Sequence, residues 1–296
     1  MILGALEAGG TKMVCAIGDE KGVIIDKTII KTTSPDETMP NIINFFKDKK
    51  IDAFGICSFG PIDLNRNSAT YGYITTTPKL QWANYNIVGT IQEAFNVPIG
   101  FDTDVNGAAL GEATYGCTRD VLSSIYITVG TGIGVGFYHD GSLLHGMLHP
   151  EAGHIMLKRH PLDHGKSVCS YHENCFEGLA SGTSIEARWK RKAYELADEK
   201  LVWEIEAYYI AHAIINYIVT LMPHRIVLGG GVMHQKQLFP LIRSNVKSML
   251  NGYIKTPEIQ DIDNYIVPAS LDDNQAILGC FKLAMMELYN TNSQIK

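Results

Sequence analysis

Ile2-Leu3-Gly4-Ala5-Leu6-Glu7-Ala8-Gly9-Gly10-Thr11-Lys12-Met13-Val14-Cys15-Ala16-Ile17-Gly18 is an apolar run, a glycine turn and a second apolar run with almost nothing between them. Asp19-Glu20-Lys21-Gly22 predicts a hairpin turn before extended segments at 23–25 and 27–32. The order strand, glycine loop, strand, turn, strand then returns about one domain length later. Residues 124–129 are apolar, Gly130-Thr131-Gly132-Ile133-Gly134 is the loop, 135–138 is apolar again, and Asp140-Gly141 is a hairpin turn. Two such units, each followed by β/α alternation, predict two similar α/β domains. The outline alone would fit any two hairpins; the matching glycine loops are what favour a repeat.

Between the units, Ser34-Pro35-Asp36-Glu37 predicts a helix start with a capping box. Met39, Ile42, Ile43 and Phe46 share a helical face after it. Strands are predicted at 51–59 and 97–101, and helices at 88–95 and, rich in Ala and Gly, at 106–115. Further helices are predicted at 182–194, 198–221, 235–250 and 273–289. The strand 225–228 runs into Gly229-Gly230-Gly231.

With 296 residues, 46% of them apolar, the chain can bury one large core or two medium ones. The net charge of −6 argues against nucleic acid as the main partner. No apolar stretch reaches 18 residues, so no membrane span is expected. The N-terminus reads as a strand and not as a signal peptide. Six cysteines spread over this length are no secreted disulfide framework, and the cytoplasm is the expected compartment.

The glycine loops suit phosphate. Glycines let the backbone approach a ligand, and successive N–H groups in such turns form an anion cradle. Thr11, Lys12 and Thr131 add donors and charge. Gly165-Lys166-Ser167 lacks the earlier glycine of a P-loop, and Gly130-Thr131-Gly132-Ile133-Gly134 lacks the dinucleotide-binding spacing. Phe101-Asp102-Thr103-Asp104 lies where a strand meets a helix, the end of an α/β sheet where ligands bind. A carboxylate there can take the proton from an attacking hydroxyl. Asp102 or Asp104 can equally be a helix cap, and spacing does not choose. Cys169, His172 and Cys175, with His154 upstream, have the spacing of a closed tetrahedral Zn²⁺ site, structural in role. His160 and His164 are competing ligands, and chance clustering in a polar loop is the alternative.

Together these motifs resemble the ROK family of sugar kinases, and within it the bacterial fructokinases. The resemblance is carried by Glu7-Ala8-Gly9-Gly10-Thr11-Lys12, Gly60-Pro61-Ile62-Asp63, the segment from Asp104 to Glu112, the loop from Gly130 to Gly134, Glu151-Ala152-Gly153-His154, Glu177 and Leu228-Gly229-Gly230-Gly231-Val232. The fructokinase branch is carried by the segment from Thr70 to Lys79, by His149-Pro150, and by the Cys-x2-His-x2-Cys spacing.

The resemblance implies an actin-like, ribonuclease-H-like fold, an α/β architecture of two similar domains around a cleft. Residues 1–118 with 280–296 would form the smaller domain, and 119–279 the larger one, with the zinc loop at about 154–177. It implies ATP held through Gly9, Gly10, Thr11, Lys12, Gly130, Thr131 and Gly132, with Gly178, Gly182, Gly229, Gly230 and Gly231 bordering the adenosine. Asp104 would be the general base on the sugar's primary hydroxyl. Gly60, Pro61, Thr103, Asp104, Glu151, His154 and Glu177 would surround the sugar, and Mg²⁺ would bridge the phosphates with Glu7 as an outer-sphere partner. His154 would ligate zinc through one nitrogen and face the sugar with the other. A homodimer is implied by the same analogy.

Many relatives carry Asn where this chain has Thr103, Asp where it has Glu7, and a different zinc spacing. Those departures move the expected substrate from glucose or an N-acetylhexosamine to D-fructose, giving fructose 6-phosphate. Mannokinase, glucokinase and N-acetylmannosamine kinase are the alternatives. A sugar-sensing repressor would add a helix-turn-helix domain of roughly 60–80 residues ahead of the first loop, and here that loop begins at residue 9. A sugar-binding protein without catalysis is the remaining reading.

Overall fold

The opening apolar run becomes β1 (Leu3–Ala8), and the glycine loop returns it antiparallel into β2 (Lys12–Gly18). A second hairpin, with Gly22 at φ 81°, leads into β3 (Ile24–Lys31), one continuous strand in place of the two predicted segments. Helix α1 (Pro35–Phe46) starts at Ser34, but the capping box does not form. Ser34 accepts the Glu37 and Thr38 amides through its backbone carbonyl, while the Thr38 hydroxyl is taken by Thr33. The chain continues through β4 (Ala53–Ser58), the short pair β5 (Tyr73–Ile74) and β6 (Tyr85–Asn86), α2 (Ile87–Phe95), β7 (Ile99–Thr103) and α3 (Asp104–Tyr115).

Next come β8 (Ser123–Val129), β9 (Ile133–His139), β10 (Ser142–Leu143), α4 (Phe176–Ala180), α5 (Gly182–Trp189) and α6 (Lys200–Leu221). These are followed by β11 (Arg225–Gly229), α7 (Leu238–Leu250), α8 (Pro257–Gln260), α9 (Ile262–Tyr265), β12 (Ile266–Pro268) and α10 (Gln275–Gln294). The helix predicted over 182–194 stops at Trp189 because Lys190 takes a left-handed conformation, φ 58°. The computed structural model describes residues 1–294.

The chain divides into two units. One holds Met1–Arg119, Leu143–His149 and the residues from Ser270 onward; the other holds Asp120–Ser142 and Pro150–Ala269. Each has its own five-stranded sheet, ordered β3-β2-β1-β4-β7 and β10-β9-β8-β11-β12. In both, a central strand is antiparallel to its hairpin partner and parallel to the next strand along. The strand order is therefore repeated where the sequence repeat is faint.

In the first unit, register sets the positions of the candidate residues. Ala8 pairs with Ser58, and Ser58 pairs with Thr103. Gly9, Gly60 and Asp104 consequently leave the sheet at one edge. Behind it, α10 packs on β1, β4, β7 and α3. A Cβ on Gly55 would strike the Cys280 backbone, and one on Gly279 would strike Gly107. The small residues of α3 therefore serve a close helix contact. A core of Leu6, Phe46, Phe54, Ile56 and Trp82 fills the other side. Glu112 is fully buried and accepts from Ser270 N (2.8 Å), Ser270 Oγ (2.6 Å) and Cys117 N (3.0 Å). That part of the Asp104-to-Glu112 motif ties the chain together.

In the second unit, Gly229 pairs with Thr128, so the 130–132 loop and Gly230 share an edge. Helix α6 is apolar almost all round and forms the centre of that core with Phe176 and Leu179. No helix among the described residues is long and apolar enough to cross a membrane.

Candidate active site and metal-binding loop

The first unit presents an acid, a lysine loop and a proline turn at one sheet edge. The strand predicted over 97–101 is shifted to Ile99–Thr103, because Asn96 turns left-handed after α2 and Cys57 and Ser58 extend the pairing. Asp104 is therefore the first residue of α3. The cap of that helix is Thr103, whose hydroxyl accepts from Asn106 N (3.2 Å). The N-cap position is thus neither Asp102 nor Asp104. Asp104 Oδ1 accepts from Val105 N (2.9 Å). Thr103 is buried, and a hydroxyl that accepts still has its proton to donate.

The 9–12 loop is closed by Gly9 N donating to Lys12 O (3.0 Å), and Thr11 and Lys12 are exposed. Glu7, one residue inside the edge, has its carboxyl raised above the usual range by burial, against the lowering effect of Lys12 and Lys27. The Gly60-Pro61 turn lies beside His149, whose Nε2 accepts from Ile62 N (3.1 Å).

In the second unit, the glycine segments meet. Gly182 N donates to Gly130 O (2.7 Å), and Thr183 Oγ1 donates to Thr131 O (2.8 Å). The first turn of α5 is thereby locked to the 130–132 loop. Gly230, at φ 88°, sits against Thr128 and Val129, and Gly231 is open to solvent. Gly229 and Gly178 are placed differently. Gly229 is buried where a Cβ would meet Tyr126, and Gly178 is buried beneath Ser167 and Cys169. The structure puts both in packing contacts.

Glu177 Oε2 accepts from Ile133 N (3.0 Å), next to Gly132. Its other oxygen is 3.9 Å from His154 Nε2. Glu151 is exposed by area, yet enough protein surrounds its carboxyl to raise its pKa, first by desolvation and then through Glu177.

His154 Nδ1 points the other way, 3.6 Å from Cys175 Sγ and 3.9 Å from Cys169 Sγ. His172 Nδ1 is 3.5 Å from Cys169 Sγ, and all four donor atoms lie within 4.8 Å of one another. Zinc bonds of about 2.3 Å to sulfur and 2.0–2.1 Å to nitrogen, at tetrahedral angles, place the two donors about 3.5–3.6 Å apart. The donor set therefore fits a tetrahedral cation. His160 is turned toward Tyr208 and stays outside the cluster, as does His164.

Sequence reading missed a polar network under the acid. Asp102 is buried and accepts from Thr103 N (2.8 Å) and Asn106 Nδ2 (2.7 Å) on one oxygen, and lies 2.8 Å from His145 Nε2 on the other. His145 and His149, four residues apart in an apolar segment, were the available signal. In the second unit, Asp163 pairs with Arg188 (2.8 Å) and accepts from Tyr209 (2.5 Å), which anchors the base of the metal loop.

The family model for the ROK family matches residues 3–287. A fructokinase from Pediococcus pentosaceus is 46% identical over 98% of this chain and 100% of its own length. A fructokinase from Streptococcus mutans is 45% identical over 96% of this chain and 97% of its own. The crystal structure of a ROK hexokinase from Thermus thermophilus matches with TM-score 0.79 at 23% identity, covering 98% of this chain and 100% of that one. That likeness shows the fold, an actin-like one of mixed α/β sheets, and it agrees with the repeated strand order described above. With the family model spanning nearly all of the sequence, the chain belongs to the ROK family.

Proposed function

We propose that the protein is an ATP-dependent fructokinase that forms fructose 6-phosphate, with Asp104 as general base. The observation that carries the reading is the near-full-length match, at 41–46% identity, to four proteins named fructokinase. The geometry supports it. An acid at the first turn of a helix, at the edge where β1, β4 and β7 end, can accept the proton of the sugar's C6 hydroxyl as that oxygen attacks the γ-phosphorus. Thr11, Lys12 and Thr131, with the amides of the two glycine loops, bind the phosphates. Gly182, Gly230 and Gly231 border the nucleoside. Thr103, Glu151, His154, Glu177 and the Gly60-Pro61 turn read the sugar's hydroxyls.

Mg²⁺, when bound with the nucleotide, supplies charge neutralisation on the phosphates. Glu7 is its outer-sphere partner in this reading, and a nearby cation would offset the desolvation that raises the Glu7 carboxyl. Zinc, when bound, supplies a cross-link among His154, Cys169, His172 and Cys175. His154, held by Nδ1, then keeps a fixed tautomer and presents Nε2 toward Glu177. Six cysteines spread over 296 residues, two of them in the metal cluster, are no disulfide framework and favour a reducing cytoplasm. A homodimer follows from family analogy alone, and light scattering on the purified protein tests it.

A panel of hexoses with ATP, Mg²⁺ and coupled ADP detection tests the substrate. The highest kcat/KM is expected for fructose. Preference for glucose, mannose or N-acetylmannosamine would refute the fructose assignment and leave the kinase class standing.

A further inference from the structure

The segment Leu143–His149 belongs to the first unit, although the chain on either side of it belongs to the second. Two histidines fasten it there. His149 is buried on the Gly60-Pro61-Ile62 turn, and His145 meets Asp102. The His145 contact falls on Asp102, two residues before the acid. Asp102 is the residue before the α3 cap, and all three of its hydrogen-bond partners are groups of the 103–106 turn or His145 itself. Asn106, whose amide also lies 3.4 Å from His145 Nε2, is 1% exposed.

We infer that His145 is a positioning residue for Asp104, acting through Asp102 to hold the 102–106 turn and to compensate the Asp102 charge beside the base. The inference rests on the reading of Asp104 as that base. The chemistry follows from what faces Asp102. Cys57 is its register partner on β4, and burial pushes that thiol well up, so it is neutral. Tyr71, on the loop after β4, feels the Asp102 charge, and its phenol is raised mainly by burial, so it is neutral too. His145 supplies the positive charge. Its hydrogen bond to Asp102 holds its pKa above the ordinary histidine value, against the opposing effect of partial burial. The imidazolium is therefore present through the acid range in which a carboxylate base gains and loses its proton. Without it, the Asp102 carboxylate loses its cationic partner two residues from the base, and its uncompensated charge would make Asp104 hold its proton to higher pH.

His145→Gln keeps a hydrogen-bond donor and removes the charge. We expect kcat on fructose to fall roughly tenfold, as small displacements of a catalytic group do. We expect the acid limb of kcat/KM to move up by about 0.5–1 pH unit, the effect of one nearby charge in partly solvated surroundings. KM for ATP should be unchanged. A fall in melting temperature with an unmoved acid limb would overturn the inference, because that is what a merely structural residue does. An unchanged rate and pH profile would overturn it as well.

Asp104→Asn, run in parallel, separates the two readings. Should it keep most of its turnover, the base assignment fails, and this inference with it. Should it lose turnover while His145→Gln is silent, only the inference fails. If His145→Gln does not fold, the imidazole of His145 in the unmodified protein can be followed by NMR. Titration above about 6.5, falling in Asp102→Asn, is expected; titration at or below that value overturns the proposal.

Discussion

The two units share a strand order and load its edge in different ways. At the edge of the first sheet, the 102–106 turn is held by side chains: Asp102, Thr103, Asn106 and His145 bond to one another and to the backbone around Asp104. At the matching edge of the second sheet, the loop is held through its backbone, with Gly182 N and Thr183 Oγ1 both donating to carbonyls of the 130–131 turn. A proton acceptor needs a carboxylate fixed in direction, which costs a buried polar network. A phosphate cradle needs open amides, which glycine loops provide without side chains. In the proposed reading both edges serve the ligands, the first with Asp104 and the 9–12 loop, the second with the 130–132 loop, Glu151, His154 and Glu177; what differs is how each turn is held.

The largest effect should come from the side-chain edge. Asp104→Asn is expected to lower kcat on fructose roughly 10²–10⁴-fold with little change in KM for ATP, the loss typical of a general base. A variant within a few-fold of the parent would remove the acid from the mechanism.

Next comes the metal loop of the second unit. Cys175→Ser should reduce zinc from one ion per chain to a trace by elemental analysis. It should also lower the melting temperature and raise KM for fructose about tenfold, as His154 and Glu177 lose their fixed positions. Full zinc content in that variant would break the four-ligand assignment.

Gly107→Val is a smaller perturbation of the first unit. The added side chain meets Cys57 and, on α10, approaches the Ala276 carbonyl, and overpacking of this kind costs about 1–3 kcal/mol. Chemical denaturation should show it as a lower midpoint with an unchanged slope.

Gly182→Ala is the mildest test of the backbone edge. Its Cβ would come within 2.9 Å of Gly130 O. A shift worth roughly 1 kcal/mol, about fivefold in KM for ATP with kcat retained, is expected. An effect on fructose and none on ATP would contradict the placement of Gly182 beside the nucleotide.

Much of this was legible in the sequence, and the reasons are local. The strand–loop–strand runs at 2–18 and 124–138 carry their own apolar pattern and turn glycines, and the Cys-x2-His-x2-Cys spacing carries its own chemistry. What was not legible depends on contacts distant in sequence. Thr103 and not an aspartate caps α3, because β4 extends the pairing of β7 by two residues. The Cβ directions of Gly178 and Gly229 face Ser167, Cys169 and Tyr126, contacts that no local pattern announces. His145 lies 43 residues from Asp102, and no periodicity links them.

The central claim is that this chain moves the γ-phosphoryl group of ATP to the C6 hydroxyl of fructose. Phosphorus and carbon NMR of a reaction containing only the protein, fructose, ATP and Mg²⁺ tests it most directly. One phosphomonoester at C6, formed in step with ADP, is the predicted result. Phosphate at C1, or ADP released with no sugar phosphate, would contradict it.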